Sequence, residues 1–176
     1  MSRETLLPQL AGYVLENGLA YASLRPLAQA AGTSDRMLLY HFGSKQRLLS
    51  DLLAYLAEEY AHWLDTAFIG RAAETRRDCL AQILDLTARP EAAPYLRVWW
   101  DIVAGAAAER SGFREAASQV MMRLLAWLER HMPAGDPDPR GGARYLLTIV
   151  EGAQMLRVVG CDDIAKGGIA ALPASP

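Results

Sequence analysis

The chain of 176 residues has little of what several protein classes require. Its two cysteines, Cys79 and Cys161, are far apart and have no CxxC spacing, which excludes a zinc ribbon, a redox pair and a disulfide framework. It has no apolar run of about 18 residues or more, and its first residues lack the basic start and apolar run of a signal peptide. We therefore expect a protein of the reducing cytoplasm that does not enter a membrane.

Strand patterns are also missing, because no segment alternates polar with β-branched or aromatic residues between turn signals. Apolar residues instead recur at helical spacing, as in Leu48, Leu52 and Leu56. A hydrophobic content of 52% is sufficient for a real core at this length. The sequence predicts an all-α protein with a three-helix head at residues 1–47, a helical-bundle body at 48–164 and a flexible tail at 165–176.

The predicted helices are bounded by capping residues, glycine and proline. They cover about 5–17, 24–31, 34–42, 44–64, 72–89, 94 onward, 112–131 and 143–159. The stretch 133–142, rich in proline and glycine, is predicted to be a loop, and the small residues from 165 onward to be poorly ordered.

The charge is unevenly distributed along the chain. The net charge is −2, but residues 1–47 carry five basic against three acidic side chains, so the head is at +2 and the remainder at −4. A basic head on an acidic body is compatible with phosphate contact at one end only.

Two short helices that meet at a tight Gly32-Thr33 turn are the helix-turn-helix pattern. Its geometry lets the second helix protrude, so that side chains near its N-terminus can enter a major groove about 12 Å wide. Ser34 or Thr33 at the start of that helix, with the free N–H groups of the first turn, also suits a phosphate.

The residues that carry this pattern resemble those of a known family. The segment 17–34, NGLAYASLRPLAQAAGTS, and the later LLYHFGSK at 38–45 resemble the DNA-binding domain of the tetracycline-repressor (TetR) family of bacterial transcriptional regulators. The resemblance covers roughly residues 5–55, with Ser-Leu-Arg, Ala-Ala-Gly and Phe-Gly-Ser-Lys in the family's order and spacing. It implies a DNA-binding regulator.

The resemblance also implies roles for individual residues. Phosphate contacts fall on Ser23, Arg25 and Lys45, base reading on Thr33, Ser34, Asp35, Arg36 and Met37, and positions near the DNA backbone on Tyr40 and His41. This chain departs from the family in having Arg36 where a small residue is common, and Leu39 where a tyrosine is common. Arg36 suits a bidentate pair with guanine, and whether Leu39 or Tyr40 replaces the phosphate-contacting tyrosine stays open. Asp35 either stabilises the first turn or accepts from a cytosine amine.

For the body, the resemblance implies a homodimer with a small-molecule pocket. The candidate pocket residues are Tyr60, Trp63, Trp99, Trp100, Met121 and Met122, and the candidate dimer seam is Leu124, Leu128, Leu146 and Ile149. Arg97, Asp101 or Gln154 are candidates to orient a polar ligand group. The function that follows is a repressor that binds a palindromic operator and is released by a small, largely apolar effector.

Two other classes compete with a regulator. Glu59 and His62 have the ExxH spacing of di-iron bundles, but the second ExxH is missing, and no phosphate loop, nucleophile elbow or HExxH is present. We therefore expect no enzyme, no cofactor and no metal site. A helical protein-interaction module is separated from a regulator only by DNA binding.

Overall fold

The computed structural model describes residues 2–68 and 73–171. Over these residues the chain forms nine α-helices and no strand, which confirms the predicted all-α class. The helices are α1 Arg3–Asn17, α2 Leu24–Ala30, α3 Asp35–Phe42, α4 Lys45–Ala67, α5 Arg76–Thr87, α6 Ala93–Ala107, α7 Phe113–His131, α8 Pro139–Val158 and α9 Asp162–Ala170. None of these described helices is long and apolar enough to cross a bilayer.

The chain divides into two compact units, and the division does not follow the chain order. The first unit comprises residues up to Thr66 together with Arg89–Arg123, and the second comprises Ala67–Ala88 and the chain from Leu124 onward. The first unit therefore contains the head and α6, and the second contains α5, α8 and α9. The predicted boundaries of the head, residues 1–47, and of the body, residues 48–164, remain predictions.

The head is held together by an apolar core that α1 shares with α2, α3 and α4. Leu6, Leu10 and Val14 lie on one face of α1 and are fully buried, as are Leu38 and Phe42 of α3. Full burial of a side chain of this size contributes about 1.5 to 3 kcal/mol. One side of α3 is therefore buried in the core, and its other side is exposed to solvent.

The start of α8 corrects the predicted loop at 133–142, because the helix begins at Pro139. Asp138 caps it, and its Oδ1 accepts from the Gly141 N–H at 2.9 Å. Proline is favourable in a first turn, where its missing N–H has no helical partner to lose. A Cβ at position 141 would lie 2.0 Å from Oδ2 of Asp138, so a larger residue there would displace the capping side chain.

A ninth helix corrects the predicted flexible tail. Asp162–Ala170 is helical, and Ala165 is buried. Asp162 and Asp163 lie in the first turn, where negative charge stabilises a helix. The prediction rested on the small residues and prolines of this segment and overlooked its acidic first turn. The remaining predicted tail, 172–176, lies outside the described residues.

An ion pair joins α5 to the segment before α8 in the second unit. Arg76 donates from Nε and Nη2 to the two carboxylate oxygens of Asp136, at 2.6 and 2.7 Å. The Asp136 side chain is 2% exposed. The hydrogen bond and charge of the guanidinium lower the pKa of Asp136 below its ordinary value. The pair therefore stays charged at neutral pH and fixes a segment rich in proline and glycine.

Candidate nucleic-acid interface

The turn between α2 and α3 is built by backbone geometry and burial. Leu27 and Ala28 of α2 are buried, and the Thr33 N–H donates to the Ala28 carbonyl at 2.9 Å. Gly32 has a φ of +59°, a left-handed conformation that glycine adopts without strain. The turn therefore sets α3 on the head at a defined angle, as the helix-turn-helix pattern predicts.

The side of α3 that faces away from the core is exposed. We call its exposed residues the reading face, which consists of Asp35, Arg36, Met37, Leu39 and Tyr40. At its N-terminus the Ser34 Oγ accepts from the Met37 N–H at 3.3 Å, so Ser34 caps the helix. Three of the five predicted base readers, Asp35 to Met37, thus lie on one exposed first turn. Ser34 is exposed as well, and Thr33 is half-buried.

Basic side chains surround the reading face. Arg25 of α2, Arg36 of α3, and Lys45 and Arg47 of α4 are all exposed. Within the described part of the chain, none of the four forms an ion pair with a carboxylate. Their charge is therefore available to an external anion. Ser23, the residue before α2, is also exposed, and its side chain makes no capping hydrogen bond.

The first turn of α4 adds a second capped helix N-terminus. The Ser44 Oγ accepts from the Arg47 N–H at 3.1 Å, and Gly43 before it has a φ of +80°. Lys45 is the first residue of α4, where the positive end of the helix dipole adds to its own charge. The arrangement suits one phosphate of a nucleic-acid backbone.

Tyr40 and His41 have different surroundings although they are adjacent. The Tyr40 ring is 78% exposed, against 37% for the Leu39 side chain. His41 is half-buried, with its Nε2 buried and without a hydrogen-bond partner, and the Arg3 Nε donates to the His41 carbonyl. Of the two candidates for the backbone-contacting aromatic position, Tyr40 has the exposed hydroxyl-bearing ring.

The predicted pocket residues lie on α4, α6 and α7. Tyr60 and Trp63 of α4 stack with ring centroids 5.6 Å apart, and Tyr95 of α6 lies 5.1 Å from Tyr60. Trp99, Trp100 and Met121 are half-buried. Met122 is 62% exposed, which corrects its assignment to an enclosed pocket. Sequence reasoning missed Tyr95, although its place one helical turn before Trp99 was a usable signal.

Two polar residues of α6 bind the head directly, and neither was predicted to do so. Arg97 donates to the backbone carbonyls of Leu15 and Glu16 at the end of α1. Asp101 accepts from the Leu19 N–H at 2.9 Å. Both were candidates to orient a ligand. In the structure Arg97 instead binds two of the last carbonyls of α1, and Asp101 binds an N–H two residues after the end of that helix. We call Arg97 and Asp101 the α6 clamp.

The predicted dimer seam needs a correction in the second unit. Leu128 and Leu146 are 3% and 1% exposed in the single chain, so both belong to its own core and have no free surface to offer a partner. Leu124 and Ile149 are half-buried. Exposed apolar side chains lie elsewhere on α8 and α9, and we call them the C-terminal apolar surface: Tyr145, Met155, Val158, Val159 and Ile164.

Comparison with known proteins agrees with this geometry. Residues 14–52 match the model for bacterial regulatory proteins of the tetR family. No curated protein sequence matches the chain. A transcriptional regulator from Streptomyces coelicolor A3(2) is 25% identical with a TM-score of 0.71, and the match covers 96% of this chain and 95% of that one.

Two further solved structures share the fold. A TetR-family transcriptional regulator from a Rhodococcus species is 21% identical, with a TM-score of 0.68 over 95% of this chain and 93% of its own. A transcriptional regulator from Saccharomonospora viridis in complex with choline is 17% identical, with a TM-score of 0.62 over 96% and 93%. Residues 14–52 therefore carry a DNA-binding helix-turn-helix of the tetR-family type, and the described chain has a fold similar to that of TetR-family transcriptional regulators.

Proposed function

We propose that this chain is a transcriptional regulator of the TetR family, a cytoplasmic homodimeric repressor that binds a palindromic operator and releases it when a small molecule occupies the first unit. It acts by binding and carries out no reaction of its own. The observation that carries the proposal is the reading face of α3, with exposed basic side chains around it that have no ion pair among the described residues. Such a surface fits a duplex, whose grooves admit a helix and whose backbone attracts cations.

Base reading and backbone binding fall to different residues. Arg36 projects from the first turn of the reading helix and has the fork geometry that pairs with the acceptor atoms of guanine. Lys45 and Arg25 lie at the starts of the flanking helices and fit phosphates. Asp35 lies in the first turn of α3, where its charge favours the helix. We therefore expect few side chains to contact the bases and several to contact the phosphates, which supply most of the electrostatic affinity for DNA.

The C-terminal apolar surface supports the homodimer. Met155 and Val158 on α8 and the C-cap residue Val159 are all exposed, and so is Ile164 on α9. A large exposed apolar patch is typical of an interaction site, and a two-fold dimer uses one patch twice. Two copies then present two reading helices, which we expect about 34 to 36 Å apart, one turn of B-DNA or a multiple of it.

The α6 clamp supports the response to a small molecule. Arg97 and Asp101 hold the end of α1, and the half-buried Trp99 and Trp100 lie between them in sequence. A ligand that shifts α6 therefore acts on the head through these hydrogen bonds. A coupling of about 1 to 3 kcal/mol weakens operator binding by about 5- to 150-fold.

The proposal is tested first by selecting bound duplexes from a random-sequence pool at near-physiological salt, with Lys45→Ala in parallel. We expect an inverted repeat that the variant recovers poorly, because a palindrome reports the two-fold dimer and the lysine supplies a phosphate contact. An enriched sequence without a repeat would contradict the dimer. No enrichment even at low salt would contradict operator recognition altogether.

The clamp is tested by Asp101→Asn, which keeps the side-chain shape but removes the charge that strengthens the hydrogen bond from Leu19. We expect near-normal operator affinity and a smaller loss of affinity when effector is added, by about 0.5 to 2 kcal/mol of coupling. Asp85→Asn, on α5 of the second unit, is the matched control. An unchanged effector response in Asp101→Asn would remove the clamp from the mechanism.

A further inference from the structure

The exposed large apolar side chains of the described chain lie mainly in two places. One is the C-terminal apolar surface, for which the proposed dimer supplies a partner. The other is the reading face, where Met37 and Leu39 are 40% and 37% exposed. Phosphates and polar base edges offer these two side chains no apolar surface to contact. Charge and hydrogen bonding alone therefore do not account for the reading face.

The register of α3 places both apolar side chains beside its arginine. At about 100° per residue, the row formed by Arg36 and Tyr40 lies opposite the fully buried Leu38. Met37 lies on one flank of that row, three residues before Tyr40. Leu39 lies on the other flank, three residues after Arg36. A duplex that receives Arg36 in its major groove therefore meets both apolar side chains as well.

Leu39 stands at a position where the family commonly has tyrosine. A tyrosine hydroxyl donates hydrogen bonds, whereas the side chain of leucine has no polar atom. Leu39 therefore has no group with which to bind a phosphate, and the exposed ring of Tyr40 follows it in the chain. The position of Leu39 is thus available for contact with a base.

The major groove of DNA offers one apolar group to such side chains. Thymine presents a methyl group there, on C5, whereas the other groups at the base edges are hydrogen-bond donors and acceptors. Apolar side chains recognise thymine by contact with this methyl group. An exposed methionine or leucine on a reading helix is therefore complementary to A·T pairs.

We propose that Met37 and Leu39 are thymine readers, which pack against C5 methyl groups in the half-site whose guanine Arg36 contacts. This assignment rests on the proposed function and deepens it, because it names the bases that the operator contains. Each of the two side chains contacts a different thymine. The half-site therefore combines a G·C pair with two A·T pairs, and the A·T pairs are distinguished by apolar burial and not by charge.

The experiment replaces single thymines of the selected operator by deoxyuridine, which removes the methyl group and keeps every base-pairing atom. Fluorescence anisotropy measures the affinity of the full-length protein for each duplex. We expect a loss of about fourfold at each of two positions in a half-site, as for the burial of one methyl-sized group. The loss should be the same at low and high salt, because the methyl group carries no charge. Unchanged affinity at every thymine of the half-site would overturn the proposal.

Matched variants assign each methyl group to one side chain. Met37→Ala should bind thymine and deoxyuridine equally at one position, and Leu39→Ala should do so at the other. Both positions are exposed and alanine favours a helix, so neither variant should disturb the head. Met37→Leu should keep the thymine preference, because it keeps an apolar side chain.

The control for the methionine variant is Met122→Ala, at an exposed position on α7, which should keep the thymine preference at both positions. A deoxyuridine effect that persists in Met37→Ala and in Leu39→Ala would overturn the assignment to these two residues.

Operator selection separates the thymine readers from the proposed function. An inverted repeat whose affinity is the same with thymine and deoxyuridine would uphold operator recognition and overturn the thymine readers. Failure to recover any preferred sequence would overturn both.

Discussion

The basic side chains of the head are exposed, and Arg25, Arg36 and Lys45 form no ion pair with any described residue. In the second unit, Arg76 is instead held by both carboxylate oxygens of the buried Asp136. Exposed apolar side chains occur in both units. On the reading face Met37 and Leu39 lie beside charged side chains, whereas Val158, Val159 and Ile164 of the second unit are more exposed, at 57% or above.

The two units therefore have surfaces of different chemistry, which suit different kinds of partner. A cation left without a protein partner keeps its full attraction for a polyanion, while a cation paired with a buried carboxylate stabilises the fold. Exposed apolar area favours association with another protein surface. This difference supports the proposal that the head binds DNA and that the second unit forms the dimer.

The largest effect should come from the ion pair of the second unit. Arg76→Met leaves the Asp136 carboxylate buried without its cation, and we expect a loss of about 3 to 5 kcal/mol in the free energy of unfolding. Urea denaturation at pH 7 measures it. Arg144→Met, at an exposed position on α8, is the control and should change the free energy by less than about 0.5 kcal/mol.

The pH dependence of that effect has a definite sign. Because the pKa of Asp136 is lowered in the folded state, its contribution is complete above the ordinary carboxyl pKa of about 3.9. The contribution is lost as the pH falls through the lower folded value. The difference between wild type and Asp136→Asn should therefore be constant near neutrality and shrink in acid. A constant difference down to strongly acidic pH would show that Asp136 has the same pKa in the folded and unfolded states, which would contradict the lowered pKa.

The next effect concerns the C-terminal apolar surface. The double change Val158→Asp and Ile164→Asp places two charges on the proposed dimer face and should cost about 2 to 3 kcal/mol of association, roughly a hundredfold in the dissociation constant. Sedimentation over a range of concentrations measures it. Thr148→Asp, an exposed polar position on α8, should leave association unchanged. A double variant that stays dimeric would move the interface to another surface.

Within the head, Arg36→Ala should relax the preference at one base pair and cost about 1 to 3 kcal/mol on the cognate operator. The measurement compares operators that differ at single positions. The result tests whether the reading face carries sequence information or charge alone. An equal loss on every sequence would exclude Arg36 as a base reader.

The smallest of these effects is expected for Lys45→Ala. It removes one phosphate contact, so affinity should fall by about 1 kcal/mol on all sequences, and the slope of log affinity against log salt should fall by about one. Lys166→Ala, an exposed lysine on α9, is the control. A loss confined to one sequence would assign Lys45 to base reading instead.

Much of the head could be predicted from the sequence because its signals are local. Gly18, Gly32 and Gly43 end or turn helices through a backbone conformation that glycine adopts without strain, and all three have a positive φ in the structure. Ser34 caps α3 through its own side chain. Apolar spacing then decides which side of each helix is buried, and so which side of α3 is left exposed.

The second unit was predicted less well because its signals are not local. The early start of α8 depends on Asp138, which caps the helix. The segment before α8 is held by the ion pair between Asp136 and Arg76, which are 60 residues apart in the sequence. Leu128 and Leu146 have the periodicity of both a core and a dimer face, and periodicity alone does not distinguish the two. Only the folded chain shows that both are buried.

The sequence by itself therefore determined the helical class, the helix-turn-helix and its exposed reading residues, since each depends on contacts within a few turns of the same chain segment. Tertiary structure alone decided that α6 holds the end of α1 through Arg97 and Asp101, and that Tyr95 of α6 packs against Tyr60 of α4. These contacts join residues distant in the sequence, and their partners are set by how helices pack. No local spacing contains that information.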